Sequence, residues 1–175
     1  MKYPFVFDAE KAIETILYIT FRVSDPTFHR ISKIMYFADK IRLEKYGRQI
    51  CTDNYMAMKH GPVPSHTYDI LKSVRGDGWF FLAEDAKKSF MVTGSYTVKP
   101  LRAADLDSFS ISDLKCLDAA IHEYGELSFG ELTQLSHDAA WEAADENDGI
   151  ALEQIVRTFK NPEPILEYLK NPFPG

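Results

Sequence analysis

The stretch YMAMKHGPVPSHTY, residues 55–68, decides how this chain is expected to fold. Its first part, residues 55–60, is short, mostly apolar and bounded by polar residues and a glycine, which predicts a β-strand rather than a helix. Gly61 admits backbone angles that other residues avoid. Pro62 and Pro64 fix their own φ at about −65° and disfavour helix in the residue before each of them. The pattern therefore predicts a rigid corner after the strand.

A helix is expected to leave this corner. Ser65 is a suitable N-cap for a helix over residues 66–75, and Gly76 is suited to end it. Such a corner serves either a binding face or a joint within the core, and both interpretations stay open on these residues alone. Three side chains are expected to be presented there: Lys59, His60 and Tyr68.

The chain on either side of the corner is predicted to be mainly helical. Apolar residues recur at helical spacing over residues 9–23 and again over residues 27–46, after which Gly47 is suited to end the helix. Two capping boxes predict the starts of later helices: Ser110 with Asp113, and Ser128 with Glu131.

A small amount of β-structure is expected to separate these two groups of helices. Residues 79–82, 89–93 and 96–99 are predicted to be strands that join residues 55–60 in one antiparallel sheet, with residues 84–88 as a polar turn. The predicted fold class is therefore mainly α (α+β). It is a compact helical domain with a small antiparallel β-sheet or hairpin inserted between N-terminal and C-terminal helices.

Length and composition predict one domain in a reducing compartment. Residues 1–160 are expected to form that domain, and residues 161–175, which hold four of the nine prolines, a proline-rich C-terminal tail. The two cysteines are far apart in the sequence and have no metal or redox spacing, which suits free thiols. Because no apolar run approaches a membrane span and no signal pattern begins the chain, a cytoplasmic protein without membrane contact is expected.

The charge of the chain argues against nucleic acid as a direct partner. The formal net charge is −6, whereas binding to a phosphate backbone needs clustered Lys and Arg. The basic residues of the first two helices, Lys33 among them, are expected to be matched by nearby acids. A basic protein partner is compatible with this charge.

No catalytic set, metal site or cofactor site is predicted. The segment 76–78 lacks the third glycine of a phosphate-binding loop, and His122 is followed by Glu126 where a zinc-binding helix needs a second histidine. A hydrolase that uses Cys51 or His60 is the enzymatic alternative, because a thiolate–imidazole pair between them is conceivable. The competing interpretation of Cys51 is a small apolar residue at the edge of a strand.

Two separated motifs resemble one known family. KIMYFADKIRLEKYGRQICTDNYMAMKHGPVPSHTYDIL, residues 33–71, resembles the signature of the Panacea (SocA-like) antitoxin domain, with its Tyr-Phe-Ala-Asp run, its Tyr-Gly step and its A-x-K-x-G-P-V segment. LTQLSHDAAWEAA, residues 132–144, resembles the second hallmark of that family, a Leu-Ser-His helix that ends at a tryptophan. The resemblance spans about residues 9–160.

The resemblance implies an antitoxin of a toxin–antitoxin system, from a bacterium or a phage, that neutralises a cognate protein toxin by direct binding and carries out no catalysis. The alternative that it implies is an adaptor that delivers the toxin to an ATP-dependent protease, with the acidic run at residues 142–148 or the tail as a tether. Tyrosines on rigid backbone favour an interface. The partner-binding residues are predicted to be Tyr36, Asp39, Tyr55, Lys59, His60, Pro62, Pro64 and Tyr68.

Overall fold

Helices account for most of residues 5–172, the part of the chain that the computed structural model describes. The predicted fold class, mainly α with small antiparallel β-elements between N-terminal and C-terminal helices, is confirmed. The elements are α1 Ala9–Thr20, α2 Phe28–Tyr46, β1 Tyr55–Met58, β2 Gly61–Pro64, α3 Ser65–Arg75, α4 Ala83–Ser89, β3 Phe90–Thr93, β4 Thr97–Pro100, α5 Ile111–Tyr124, α6 Phe129–Ser136, α7 Ala139–Glu142, α8 Leu152–Val156 and α9 Glu163–Lys170.

Helix α2 packs against several of the other elements. The side chain of Thr27 accepts a hydrogen bond from the backbone N–H of Arg30 and caps its start, and Gly47 ends it in the left-handed conformation with φ 73°. All ten residues from 30 to 39 are buried, so this part of the helix is enclosed on every side. Helices α5 and α6 and strand β2 contact it directly.

The residues predicted to form a corner between a strand and a helix, 61–64, are instead the returning strand of a β-hairpin. Strand β2 pairs antiparallel with β1, from Tyr55 opposite Pro64 to Met58 opposite Gly61, and a two-residue loop connects them. That loop, Lys59 and His60, has no residue with positive φ, so Gly61 supplies the reversal with φ 107°. A glycine in this conformation after a tight turn realigns the returning strand.

Strand β2 tolerates two prolines because the residues of β1 opposite them, Ala57 and Tyr55, direct their hydrogen-bonding backbone groups away from β2. The N–H of Ala57, the residue opposite Pro62, donates to the carbonyl of Asp148 at 2.8 Å, and its carbonyl accepts from the N–H of Asn147 at 2.8 Å. The N–H of Ile150 donates to the carbonyl of Tyr55 at 2.7 Å. Strand β1 therefore lies between β2 and the segment 147–150, which includes the last two residues of the acidic run.

The start of α3 is capped by a residue from before the hairpin, and the prediction that Ser65 is the N-cap is wrong. Pro64 occupies the N-cap position and makes no side-chain cap. The buried carboxylate of Asp53 instead accepts from the backbone N–H groups of His66, at 3.0 Å, and Thr67, at 2.8 Å. It also accepts from the hydroxyl of Thr67 at 2.7 Å. The end of α3 at Gly76, with φ 110°, is confirmed.

The predicted single sheet is wrong in its extent. Strands β3 and β4 form a two-stranded sheet of their own, separate from the hairpin. Residues 79–82 are not a strand, and the predicted turn at residues 84–88 lies in helix α4. That helix has two acids in its first turn and two lysines in its last, an arrangement that suits the helix dipole.

The C-terminal half contains the predicted caps and one further packed helix. Both capping boxes, at the starts of α5 and α6, are confirmed. Helix α9 lies in the predicted tail, and its Leu169 is fully buried. The division of the chain at residue 160 stays a prediction, and residues 173–175 of the tail lie outside the described part. Within the described part, none of the helices has both the length and the apolar character needed to span a membrane.

Candidate functional site

The hairpin loop is where the predicted partner-binding residues reach the surface. Lys59 and His60 are exposed, and Tyr68 is half-buried at the first turns of α3. The others lie in the interior, where their side chains cannot touch a partner in this conformation: Tyr36, Asp39, Tyr55, Pro62 and Pro64. The structure therefore separates the predicted set into a small exposed group and a buried group that supports it.

Asp39 and Tyr55 join α2 to the hairpin through a buried polar network. The carboxylate of Asp39 accepts from the Tyr55 hydroxyl at 2.6 Å and from the backbone N–H of Ile50 at 2.7 Å. Burial raises the pKa of Asp39 to about 6, although both hydrogen bonds oppose this rise. Burial also raises the pKa of Tyr55, and the negative charge of Asp39 raises it further. These residues fix the position of β1 rather than a ligand.

Tyr36 joins α2 to the second motif. Its hydroxyl donates to the carboxylate of Asp138 at 2.7 Å, and the ammonium of Lys40 lies 2.9 Å from the same oxygen. Asp138 is also the N-cap of α7. Trp141 in α7 donates from its indole N–H to the carbonyl of Met58 at 2.9 Å, at the end of β1. The two motifs that are distant in sequence thus hold the hairpin from both sides.

A groove of about 730 Å³ opens beside the exposed hairpin loop. Its walls come from the start of α2, the hairpin, α3, the turn between β3 and β4, and the start of α6. Apolar side chains at the rim are unusually exposed, at 39% for Met58, 56% for Tyr96 and 51% for Phe129. The residues that matter for its chemistry are Phe28, His29, Lys33, Lys59, His60, Tyr68, Lys72, Tyr96 and Phe129.

Aromatic contacts form two ends of this groove. At one end, Phe28 meets the rings of Tyr68 and Tyr96 edge to face, each at 5.7 Å between ring centroids. At the other end, Phe129 stacks on His29 at 3.9 Å and meets His60 at 5.2 Å. Edge-to-face and offset contacts of this kind hold rings in fixed orientations. The groove therefore has a preformed apolar wall at each end.

His29 is a neutral imidazole in the groove. Burial lowers its pKa to about 3, with smaller contributions from the positive charge of Lys33 and from His60. One ring nitrogen, Nε2, lies 3.0 Å from the hydroxyl oxygen of Thr133 in α6. The imidazole thus contributes a hydrogen-bonding group and a ring face, but no charge, at neutral pH.

Lys33 lies beneath the hairpin and is 1% exposed, yet it forms part of the groove wall. Its ammonium donates to the carbonyl of Pro62 at 2.9 Å. The expectation that nearby acids match this lysine is wrong, because no carboxylate oxygen of the described residues lies within ion-pair distance of it. Burial lowers its pKa to about 7.

Gly61 is required where α2, α6 and the hairpin meet. A Cβ atom on this residue would overlap the hydroxyl oxygen of Ser136 and would lie 2.7 Å from Cε of Lys33. The positive φ of Gly61 adds backbone strain for any other residue. The glycine therefore permits both the turn and the close approach of Lys33 to the hairpin.

Cys51 does not have the environment of a catalytic nucleophile. Its thiol is buried, and burial raises the pKa of Cys51 far from the range of a reactive thiolate. Its Sγ lies 3.3 Å from the hydroxyl oxygen of Thr15. Among residues 5–172 no group of three or more His, Cys, Asp or Glu side chains is arranged to hold a metal ion.

The fold and the groove define a mainly helical domain that presents a hairpin and an apolar recess on one face. A family model described as antitoxin SocA-like, Panacea domain matches residues 31–142, which is more than half of the chain. The chain therefore belongs to the SocA-like Panacea antitoxin family. Searches of curated proteins and of solved structures found no match.

Several residues of the candidate site were not predicted from the sequence. The aromatic rings at the two ends of the groove come from elements far apart in sequence, among them Phe28, Tyr96 and Phe129. A signal for Lys33 was present, because it follows Ile31-Ser32 and precedes a run of apolar residues on a buried helix. A charged residue within such a run is unusual unless it is paired or functional.

Proposed function

We propose that this chain is the antitoxin of a toxin–antitoxin pair and neutralises its toxin by direct, non-catalytic binding. Membership of the family supports a general antitoxin role. The observation that carries the mechanism is the groove of about 730 Å³ beside the exposed hairpin loop, with its exposed apolar rim. Exposed apolar patches next to a preformed recess are typical of protein-binding surfaces.

The binding surface consists of the hairpin loop and the groove. Lys59 and His60 form the part that projects, and Tyr68 supports one wall of the recess. The buried members of the predicted set contribute indirectly, because Asp39 bonds Tyr55 of the hairpin and the ring of Tyr36 packs against that of Tyr55. A rigid hairpin loses little conformational freedom on binding, which favours affinity.

The toxin is proposed to be the cytoplasmic protein encoded beside this chain, and no nucleic acid, cofactor or metal takes part. The buried thiol of Cys51 supports a mechanism without nucleophilic catalysis. Binding that blocks the toxin's own site leaves the amount of toxin unchanged, whereas delivery to an ATP-dependent protease lowers it. The acidic run proposed as a tether is held by backbone hydrogen bonds between residues 147–148 and β1, which supports direct binding over delivery.

Co-expression with the neighbouring gene product tests this function. We expect the two proteins to co-purify, the growth arrest caused by the toxin to be relieved, and the level of toxin to stay constant in strains with and without each ATP-dependent protease. A Lys59→Glu variant is expected to weaken the complex, while its melting temperature stays within about 2 °C of the wild type because an exposed loop residue contributes little stability. The absence of both co-purification and rescue contradicts the proposal.

A further inference from the structure

The chemistry of the groove indicates what kind of segment it accepts. Three lysines line the groove: Lys33, Lys59 and Lys72. The acid in its wall is Asp69. Asp69 already lies 3.4 Å from the ammonium of Lys72. The groove is therefore locally basic, although the whole chain has a formal net charge of −6.

Lys33 is the unusual member of this set. A lysine ammonium has three N–H donors, and within the described residues its one hydrogen-bond acceptor is the carbonyl of Pro62 at 2.9 Å. Taking a charge out of water is costly unless an opposite charge or further hydrogen bonds replace the lost hydration. The free chain does not supply that opposite charge from its described residues, so a ligand that brings a carboxylate to the groove wall would complete the site.

The two aromatic ends of the groove add a requirement for apolar flanks. Phe28, Tyr68 and Tyr96 line one end, and Phe129 with His29 lines the other. A small free anion would leave these rings in contact with water. A peptide segment with apolar side chains around one acidic side chain would cover them and reach Lys33 as well.

We propose that the groove accepts a segment of the partner toxin in which one Asp or Glu side chain, flanked by apolar residues, forms an ion pair with the buried ammonium of Lys33. This inference rests on the proposed toxin-binding function and names the chemistry that the toxin presents. The rings give the segment its affinity through apolar burial, and Lys33 gives specificity, because a segment without the acid leaves the ammonium unpaired. Lys59, which is exposed at the groove, strengthens the attraction for an acidic segment at long range.

The first experiment measures binding of the neighbouring gene product to three forms of the full chain: wild type, Lys33→Met and Lys45→Met. Methionine approximates the volume of lysine without its charge, and Lys45 is an exposed lysine near the end of the same helix, so it is the matched control. We expect the dissociation constant of Lys33→Met to rise by roughly thirtyfold or more, since one member of a buried ion pair is lost. Lys45→Met is expected to bind as the wild type does. Equal affinity of all three forms overturns the proposal.

A second experiment separates failure of this inference from failure of the toxin-binding function, because it needs no toxin. Hexanoate, an aliphatic carboxylate, and hexanamide, its neutral counterpart, are titrated into protein labelled with ¹³C at lysine, and the Cε resonance of Lys33 is followed by NMR. We expect hexanoate to shift this resonance in the wild type and hexanamide to leave it in place. If neither molecule shifts it, the site does not accept a carboxylate and the inference is wrong even where the toxin binds.

If hexanoate shifts the resonance but the neighbouring protein does not bind, the proposed toxin-binding function fails, and with it the assignment of the acid to a toxin. The last step therefore exchanges residues of the toxin itself. Each Asp→Asn or Glu→Gln change in a surface segment of the neighbouring protein is tested against wild-type and Lys33→Met chains. One such change is expected to weaken binding to the wild type by roughly thirtyfold and to leave binding to Lys33→Met unaltered, as in a double-mutant cycle. Full additivity at every acid contradicts the ion pair.

Discussion

Replacing Lys33 by methionine should change how the stability of the free chain depends on pH. The ammonium is 1% exposed, and burial lowers the pKa of Lys33 from 10.5 to about 7 in the folded chain. Between these two pKa values the unfolded chain binds a proton that the folded chain does not bind. The contribution of Lys33 to the free energy of unfolding therefore rises with pH in this window, and it is least favourable below pH 7.

The magnitude follows from linkage. One proton corresponds to a slope of about 1.4 kcal/mol per pH unit. The free energy of unfolding of the wild type minus that of Lys33→Met should therefore increase by about 3 kcal/mol between pH 7 and pH 9.5. Removing the ammonium also leaves the carbonyl of Pro62 without its hydrogen bond, at a cost of about 1–3 kcal/mol that does not vary with pH. The pH dependence thus isolates the buried charge from this constant cost.

Urea unfolding at intervals from pH 7 to pH 9.5 measures the effect, with Lys45→Met as the matched control on the same helix. All groups common to the three proteins cancel in the differences, and the pKa of His29, about 3, lies well below the window. The difference between wild type and Lys33→Met should grow with pH, and that between wild type and Lys45→Met should stay constant. A difference that is flat across the window for Lys33→Met refutes a buried, unpaired ammonium.

Three further variants test the hairpin and its supports. Gly61→Ala should lower the free energy of unfolding by about 2–3 kcal/mol, because residue 61 has positive φ and its new Cβ would meet Ser136 and Lys33. The control Gly130→Ala, whose Cβ would lie in open space on α6, should be neutral or slightly stabilising. Asp53→Ala should cost about 2–4 kcal/mol in thermal or urea unfolding through the uncapped start of α3; a loss below about 0.5 kcal/mol would contradict that role. Asp39→Ala should cost at least as much by leaving the buried Tyr55 hydroxyl without its acceptor, and full stability of this variant would show that the network is dispensable.

Features fixed by local residues could be predicted from the sequence. The ends of α2 and α3 at Gly47 and Gly76 depend on the left-handed conformation of one glycine each, and the capping boxes depend on residues three positions apart. Strand β1 was likewise predicted from its own residues, a short and mostly apolar run bounded by polar residues and Gly61. These signals act over one turn of chain, which a sequence displays directly.

Features that depend on distant contacts could not be predicted. Ser65 has the right side chain for a cap, but Asp53 occupies that role because the hairpin returns the chain to it. Residues 79–82 are aromatic and apolar, yet they precede α4 rather than pair with the hairpin. For the candidate site, Lys59 and His60 were found at the surface of the hairpin, while the burial of Tyr36 and the groove wall at Lys33 follow from the packing of α2.

Hydrogen exchange of the chain alone and in complex with the neighbouring gene product tests the central claim most directly. We expect backbone amides of residues 56–69, together with those around Phe129 and Tyr96, to exchange more slowly in the complex, since these line the hairpin and the groove. Amides of α9, whose described residues lie outside the groove wall, should exchange at unchanged rates. A stable complex in which protection falls on α9 and spares residues 56–69 contradicts a binding surface at the hairpin.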